Sequence, residues 1–304
     1  MCRHWLTLRC SLFSLLLMSG WGCASPIDFE RTPVAAIESS LVFHPSKYPE
    51  GDWTPSKLPV ENAWFTAPDG TRLHGWYVPH PKPAGVALFA HGNAGNVTYW
   101  ADTLRILHHR HHLTVLAFDY RGFGRSEGMP SEPGLLQDAR AARAWLAKEA
   151  GIQEQDIILM GQSLGGGVVV DLAANDGARG LVLASTFTSL PDVAQAHVPA
   201  VPRHWLKNRF DSLAKIRDYH GPLLQVHGDQ DRLVPFAQGQ KLFAAANEPK
   251  RFVTVPGGDH NTPLPEAYRQ ALDEFLVSLP PYPTSVTGRA TVTAGADTTD
   301  DVQE

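Results

Sequence analysis

Cysteine is scarce in this chain. Of 304 residues three are cysteine, Cys2, Cys10 and Cys23, and all lie within the first 23 positions. No thiol is left in the body of the protein, so disulfides within the domain are excluded. An excess of positive charge is missing as well. Lys+Arg number 26 against 31 Asp+Glu, for a formal net charge of −5, which argues against a nucleic-acid partner. There is no long hydrophobic run. The apolar stretch Cys10 to Met18 falls far short of the ~20 residues that a membrane-spanning helix needs. No internal repeat is present. The length suits one large domain.

What the chain does have is alternation. Strand-like apolar runs occur at Val86–Ala90, Leu113–Phe118, Asp156–Met160, Gly180–Ala184, Pro222–Val226 and Arg251–Val255. Helical stretches occur at Glu132–Ala150, Gly165–Ala174, Phe236–Asn247 and Pro263–Leu279. This order predicts a mainly parallel sheet covered by helices on both faces, the α/β class. Ala63–Val78 reads as two alternating strands turned at Pro68-Asp69-Gly70, which would add an antiparallel edge and bring the sheet to eight strands.

The chemistry-bearing pattern is Gly161-Gln162-Ser163-Leu164-Gly165, set between a strand and a helix. That is the layout of a nucleophile elbow. Glycines flank the serine because a Cβ there would strike neighbouring backbone. A serine hydroxyl is a weak nucleophile unless a base lies within hydrogen-bond reach. Asp231 and His260 follow in chain order, the order acid then base takes after such a serine. Asp231 has a rival acid in Asp229. His260, in the loop after the last strand, is the expected base. The backbone N–H of Leu164, at the start of the helix, would donate to a developing oxyanion, and Asn93 would supply the second donor, with Ala94 as its neighbour-rival. His91 precedes the serine and is read as a brace for its turn.

HGNAGN at 91–96, DYRGFGRSEG at 119–128, GQSLGGG at 161–167, HGDQDRLVP at 227–235 and GGDHN at 257–261 together resemble one branch of the α/β-hydrolase superfamily. That branch includes bacterial serine hydrolases of mostly unknown substrate, often lipoproteins, and eukaryotic α/β-hydrolase-domain proteins of the bud-emergence type. The resemblance covers roughly residues 58–280. It implies Ser163, Asp231 and His260 as the triad. The residues read as a serine hydrolase of small-molecule carboxylic esters or thioesters needing no cofactor or metal. The alternatives are a serine peptidase or amidase using the same triad, or a non-catalytic envelope binding protein.

Arg3 and Arg9 precede the apolar stretch and small residues follow, so residues 1–23 are read as a signal peptide. Cleavage before Cys23 would leave a cysteine for lipid attachment to a membrane, with the outer membrane of the cell envelope the expected address. Cleavage after Ala24 would release a periplasmic or secreted protein. Residues 24–57 are expected to wrap the domain irregularly, residues 58–281 to form the hydrolase domain, and residues 282–304 to be a disordered tail. A small cap is expected at 185–219. Val198, Val201, Trp205 and Leu206 would be either an acyl-binding wall or the buried face of a short helix. The run His108-His109-Arg110-His111-His112 is read as solvated helix-end histidines rather than metal ligands. The 119–126 loop is read as a stiff turn holding an internal Asp–Arg pair.

Overall fold

The computed structural model describes residues 42–200 and 202–281. The expected signal peptide, Cys23, Val201 and the tail from 282 lie outside the described residues.

Eight strands form one sheet: β1 Glu61–Thr66, β2 Arg72–Val78, β3 Gly85–Ala90, β4 Leu113–Asp119, β5 Ile158–Gln162, β6 Gly180–Ala184, β7 Leu223–Gly228 and β8 Lys250–Val255. Their spatial order is β8-β7-β6-β5-β3-β4-β2-β1. From β3 to β8 every pairing is parallel. β2 runs antiparallel to both β1 and β4. The β1–β2 turn forms where the sequence predicts it. Gly70 takes φ +89°, and the Asp69 carboxylate accepts the Thr71 N–H at 3.0 Å, an Asx-type closure. Strands β3, β4, β6 and β7 are buried along their whole length, as near-continuous apolar runs must be when helices cover both sheet faces.

The helices are α1 Ala101–His109, α2 Glu132–Ala150, α3 Leu164–Asp176, α4 Leu190–His197, α5 Ser212–Lys215, α6 Phe236–Ala245 and α7 Glu266–Ser278. Two separate apolar clusters result. Leu135, Leu146, Val168 and Leu242 place α2, α3 and α6 on one face. Leu104, Leu107, Leu272 and Phe275 place α1 and α7 on the other. The longest helix is bounded as its sequence dictates: Ser131 accepts the Gly134 N–H at 3.2 Å, and Gly151 ends it at φ +67°. α3 is mostly apolar and almost wholly buried, as a centrally placed helix must be, and its buried Asp171 is paired with Arg140 and Lys215.

Some boundaries move. β5 begins at Ile158, because Glu154–Asp156 form a tight 3₁₀ turn in which Asp156 caps the Gln153 N–H. α7 begins only after Pro265, since a residue before proline is steered away from the helical region. Residues 42–57 are not wholly irregular, as His44–Pro45 pair in parallel with Ala94–Gly95. Among its described residues the 185–219 segment holds only α4, α5 and two short 3₁₀ turns. Val198 and Trp205 are about half exposed, at 50 % and 57 %, so they are not the buried face of a helix on the core; Leu206 is half-buried. No helix among the described residues is long and apolar enough to cross a membrane.

Candidate active site

In a parallel sheet the loops that follow the strands gather at one edge, where α/β proteins place their sites. Ser163 follows β5, Asp231 follows β7 and His260 follows β8. All three therefore sit at the same edge.

Ser163 stands between β5 and α3 with φ +53° and ψ −117°, a left-handed conformation that a residue with a Cβ adopts only under constraint. The constraint is visible. Its N–H donates to Ala184 C=O at 2.9 Å, and its C=O accepts the Gly166 N–H at 3.0 Å and the Thr186 hydroxyl at 2.8 Å. Glycines flank this turn for lack of room. A Cβ on Gly165 would lie 1.9 Å from the Ala90 carbonyl oxygen, and one on Gly161 2.4 Å from that of Gly165. Gly165→Ala should therefore force α3 off β3 and cost about 1–3 kcal/mol, the usual range for overpacking. A urea-unfolding midpoint equal to the parent's would show that the elbow is looser than this.

Leu164 opens α3, and the first N–H groups of a helix have no partner within it. The loop after β3 lies against the elbow: a Cβ on Gly92 would be 3.7 Å from Ser163 Cβ. Asn93 follows. Its C=O accepts the His44 N–H at 3.2 Å, and its side-chain amide donates to Val42 C=O.

His91 faces away from the base position. Its Nδ1 contacts Gly92 O at 2.7 Å and its Nε2 is 3.6 Å from Asp119 Oδ1. Asp119 is fully buried and also takes the Val97 N–H at 2.8 Å. Burial alone would raise its carboxyl, but His74, His91 and the Val97 N–H hold it below the usual range. The sequence reading missed this anchor and expected an Asp–Arg pair within the loop. Arg121 instead reaches Asp138 at 2.8 Å and Asp69 at 2.7 Å. Gly124 presses close on Asp119, since a Cβ there would come within 2.0 Å of Asp119 Oδ2.

His260 Nδ1 lies 2.8 Å from Asp231 Oδ2, and both side chains are buried. The other oxygen of Asp231 accepts the Leu233 and Val234 N–H groups at 2.9 and 2.8 Å. His227 Nε2 stands 3.3 Å from Oδ2 and contacts Val234 O at 2.9 Å. Burial pushes the Asp231 carboxyl up. The hydrogen bonds with His227 and His260 outweigh that and hold it far below the ordinary carboxylate range. Asp229 is engaged elsewhere, its Oδ1 accepting the Gly257 N–H at 2.7 Å. A residue that sequence reasoning passed over steadies the histidine loop. Asp259 accepts the His260 N–H at 2.8 Å and the Arg232 N–H at 3.0 Å, and pairs with the Arg232 guanidinium.

A cavity of about 740 Å³ opens at this edge, with Gln162, Ser185 and His260 in its lining.

Residues 87–207 match the family described as "Alpha/beta hydrolase family". The uncharacterized protein Rv2307c of Mycobacterium tuberculosis is 41 % identical over 243 residues, covering 73 % of this chain and 86 % of its own. The "Alpha/beta hydrolase domain-containing protein WAV2" of Arabidopsis thaliana is 33 % identical over 261 residues, covering 75 % and 82 %. The chain belongs to the α/β-hydrolase family. Its fold matches that of the Pyrococcus furiosus esterase Pf2001, with TM-score 0.65 and 20 % identity over 78 % of this chain and 97 % of that one.

One reading of this α/β hydrolase needs correction away from the elbow. Of the helix-end histidines, His109 and His112 are exposed as expected, but the other two are not. His108 is buried with its Nε2 at Pro79 O, 3.1 Å away, and buried His111 contacts Asp273 at 2.7 Å. α1 ends against the sheet, so its last turn packs instead of fraying.

Proposed function

We propose that this α/β hydrolase is a serine hydrolase of carboxylic esters or thioesters, acting through Ser163, His260 and Asp231. The observation that carries the reading is the 2.8 Å contact of buried Asp231 with His260 Nδ1, at the strand edge that also bears the strained Ser163. A carboxylate on Nδ1 fixes the tautomer whose Nε2 is free to act as base.

In this reading Ser163 Oγ attacks the acyl carbon while His260 Nε2 takes its proton. The carbonyl oxygen becomes an oxyanion, which the backbone N–H groups of Leu164 and Asn93 would receive. The tetrahedral intermediate collapses, and the alcohol or thiol leaves with the proton from His260. Water then attacks the acyl-enzyme, again giving up its proton to His260. The acid is released and Ser163 Oγ regains its hydrogen. Asp231 stays ionised throughout and stabilises the imidazolium. The esterase neighbours support the reading through their shared fold.

The test is labelling with a fluorophosphonate probe, followed by turnover of p-nitrophenyl esters. Labelling with ester turnover supports the proposal. Turnover of peptide or simple amide substrates without esters would make the protein an amidase with the same residues.

We further propose that the mature protein starts at a lipidated Cys23, which would seat the hydrolase on a membrane of the cell envelope. Two or more acyl chains give stable anchoring where one does not. Intact-mass analysis of the native protein should show the acylated form, and Cys23→Ser should abolish it and move the enzyme to the soluble fraction. A native chain beginning at unmodified Ser25 would remove the anchor.

A further inference from the structure

We propose that the cleft between α1 and α7 is an acyl-chain site that takes a linear chain of roughly ten carbons. The proposal rests on the hydrolase reading above and adds the substrate class to it.

The cleft is the 740 Å³ cavity, inside the ~300–1,000 Å³ span of small-molecule sites. Phe89, Leu107, Met160, Val182 and Leu272 give it apolar walls, and Gln162 and His260 place one end at the elbow. Ser163 itself is not in the lining, so in this proposal the acyl group whose carbonyl sits at Ser163 enters past Gln162, the residue next to it. Val198 and Trp205 of the cap do not line this cavity.

The length follows from α1. Trp100 and His111, which both line the cavity, flank this nine-residue helix, one just before it and one just after. At ~1.5 Å per residue the helix spans about 14 Å. A fully extended chain advances roughly 1.2 Å per bond, as the ~3.6 Å reach of a three-bond residue shows. About ten to twelve bonds fill the cleft.

The far end, at His111, is polar. Arg110 ties α1 to α7 through Glu266 at 2.6 Å and Asp273 at 3.2 Å, and His111 Nδ1 is 2.7 Å from Asp273. Buried His111 has no partner for its Nε2 among the described residues. Burial lowers the His111 pKa against the pull of Asp273. The carboxylate of Asp273 at Nδ1 makes that nitrogen the donor in the neutral ring and leaves Nε2 as a bare acceptor. A methyl group pressed on it leaves that acceptor unsatisfied, which is costly. Longer chains meet this floor and gain nothing.

The test uses the full chain and p-nitrophenyl esters from acetyl to hexadecanoyl. kcat/KM should climb by up to ~4-fold per added methylene, the factor for transferring a CH₂ out of water, then level or fall beyond about ten carbons. Thr103→Trp and Ile106→Trp fill the cleft from α1 positions that are half-buried and exposed, so the core is left alone. Each should lower the decanoyl-to-acetyl ratio of kcat/KM at least tenfold. Calorimetry gives a readout without turnover: decanoate should bind Ser163→Ala protein, and Thr103→Trp in that background should weaken binding at least tenfold. Ratios and decanoate affinity that ignore both tryptophans overturn the acyl site while leaving ester hydrolysis intact. Absence of probe labelling and of turnover on every ester overturns the hydrolase reading beneath it.

Discussion

Ser163→Ala should fold like the parent, lose fluorophosphonate labelling and drop kcat by about 10⁶-fold, the loss seen when a triad serine is removed from a serine protease. The fold should survive because the bonds that hold the elbow come from backbone atoms or from Thr186. The Ser163 N–H still meets Ala184, and its C=O still receives Gly166 and Thr186. Alanine at φ +53° carries the same Cβ as serine, so the strain is neither relieved nor increased. The melting temperature should therefore match the parent's within a few degrees, which for a domain of this size is on the order of 1 kcal/mol. Steady-state turnover of a p-nitrophenyl ester gives the decisive number. Activity within tenfold of the parent would mean that another group attacks the substrate.

The elbow was legible because its residue types answer to steric demands that act locally. Gly161 and Gly165 have no room for a Cβ, and the apolar run before them and the small-residue helix after them mark strand and helix without tertiary information. The sheet was legible for a similar reason. Strands buried on both faces show as unbroken apolar runs, and the Asp69-Gly70 turn announces the antiparallel edge.

What escaped the sequence depends on pairings between residues far apart in the chain. Asp119 meets His74 on β2 and His91 just after β3, so nothing near it in sequence points to them. Arg121 is close to Asp119 in the chain, yet it pairs with Asp138 on α2. The clamp of Asp259 on Arg232 joins the loops after β7 and β8, and only the β7–β8 neighbourhood makes it possible. The cleft beside α1 was invisible for the same reason. Its walls come from β3, β5, β6, α1 and α7, and no stretch of sequence carries more than a few of them. The cap residues misled because apolar composition does not reveal exposure: Trp205 and Val198 look like core and face solvent.

Asp231→Asn should lower kcat by up to ~10⁴-fold, with Asp229→Asn falling far short of that. Asp231 accepts from the His260 side through Oδ2 and from two backbone N–H groups through Oδ1. An asparagine can keep the backbone bonds with its carbonyl. Its amide then faces His260 Nδ1 as a donor, and the imidazole must turn its lone pair to that side and carry its proton on Nε2. A ring protonated at Nε2 cannot take the serine proton, which is the origin of the ~10⁴-fold loss in a serine protease altered in this way. Asp229 offers only a carbonyl-like acceptor to the Gly257 N–H, which asparagine reproduces. If Asp229→Asn proved the more damaging, the acid would have to be reassigned. Stability adds a second signature. The folded pKa of Asp231 lies below the ~3.9 of an unfolded aspartate. Its ionised form therefore contributes stability that is fully present above the unfolded value and is lost as pH falls through the folded one. The melting-temperature gap between parent and Asp231→Asn should be widest above about pH 5 and should narrow as the pH is brought down towards 3. A gap that stays constant across that range would mean that Asp231 is not held as a carboxylate by its two histidines, and the reading of His260 as an oriented base would lose its support.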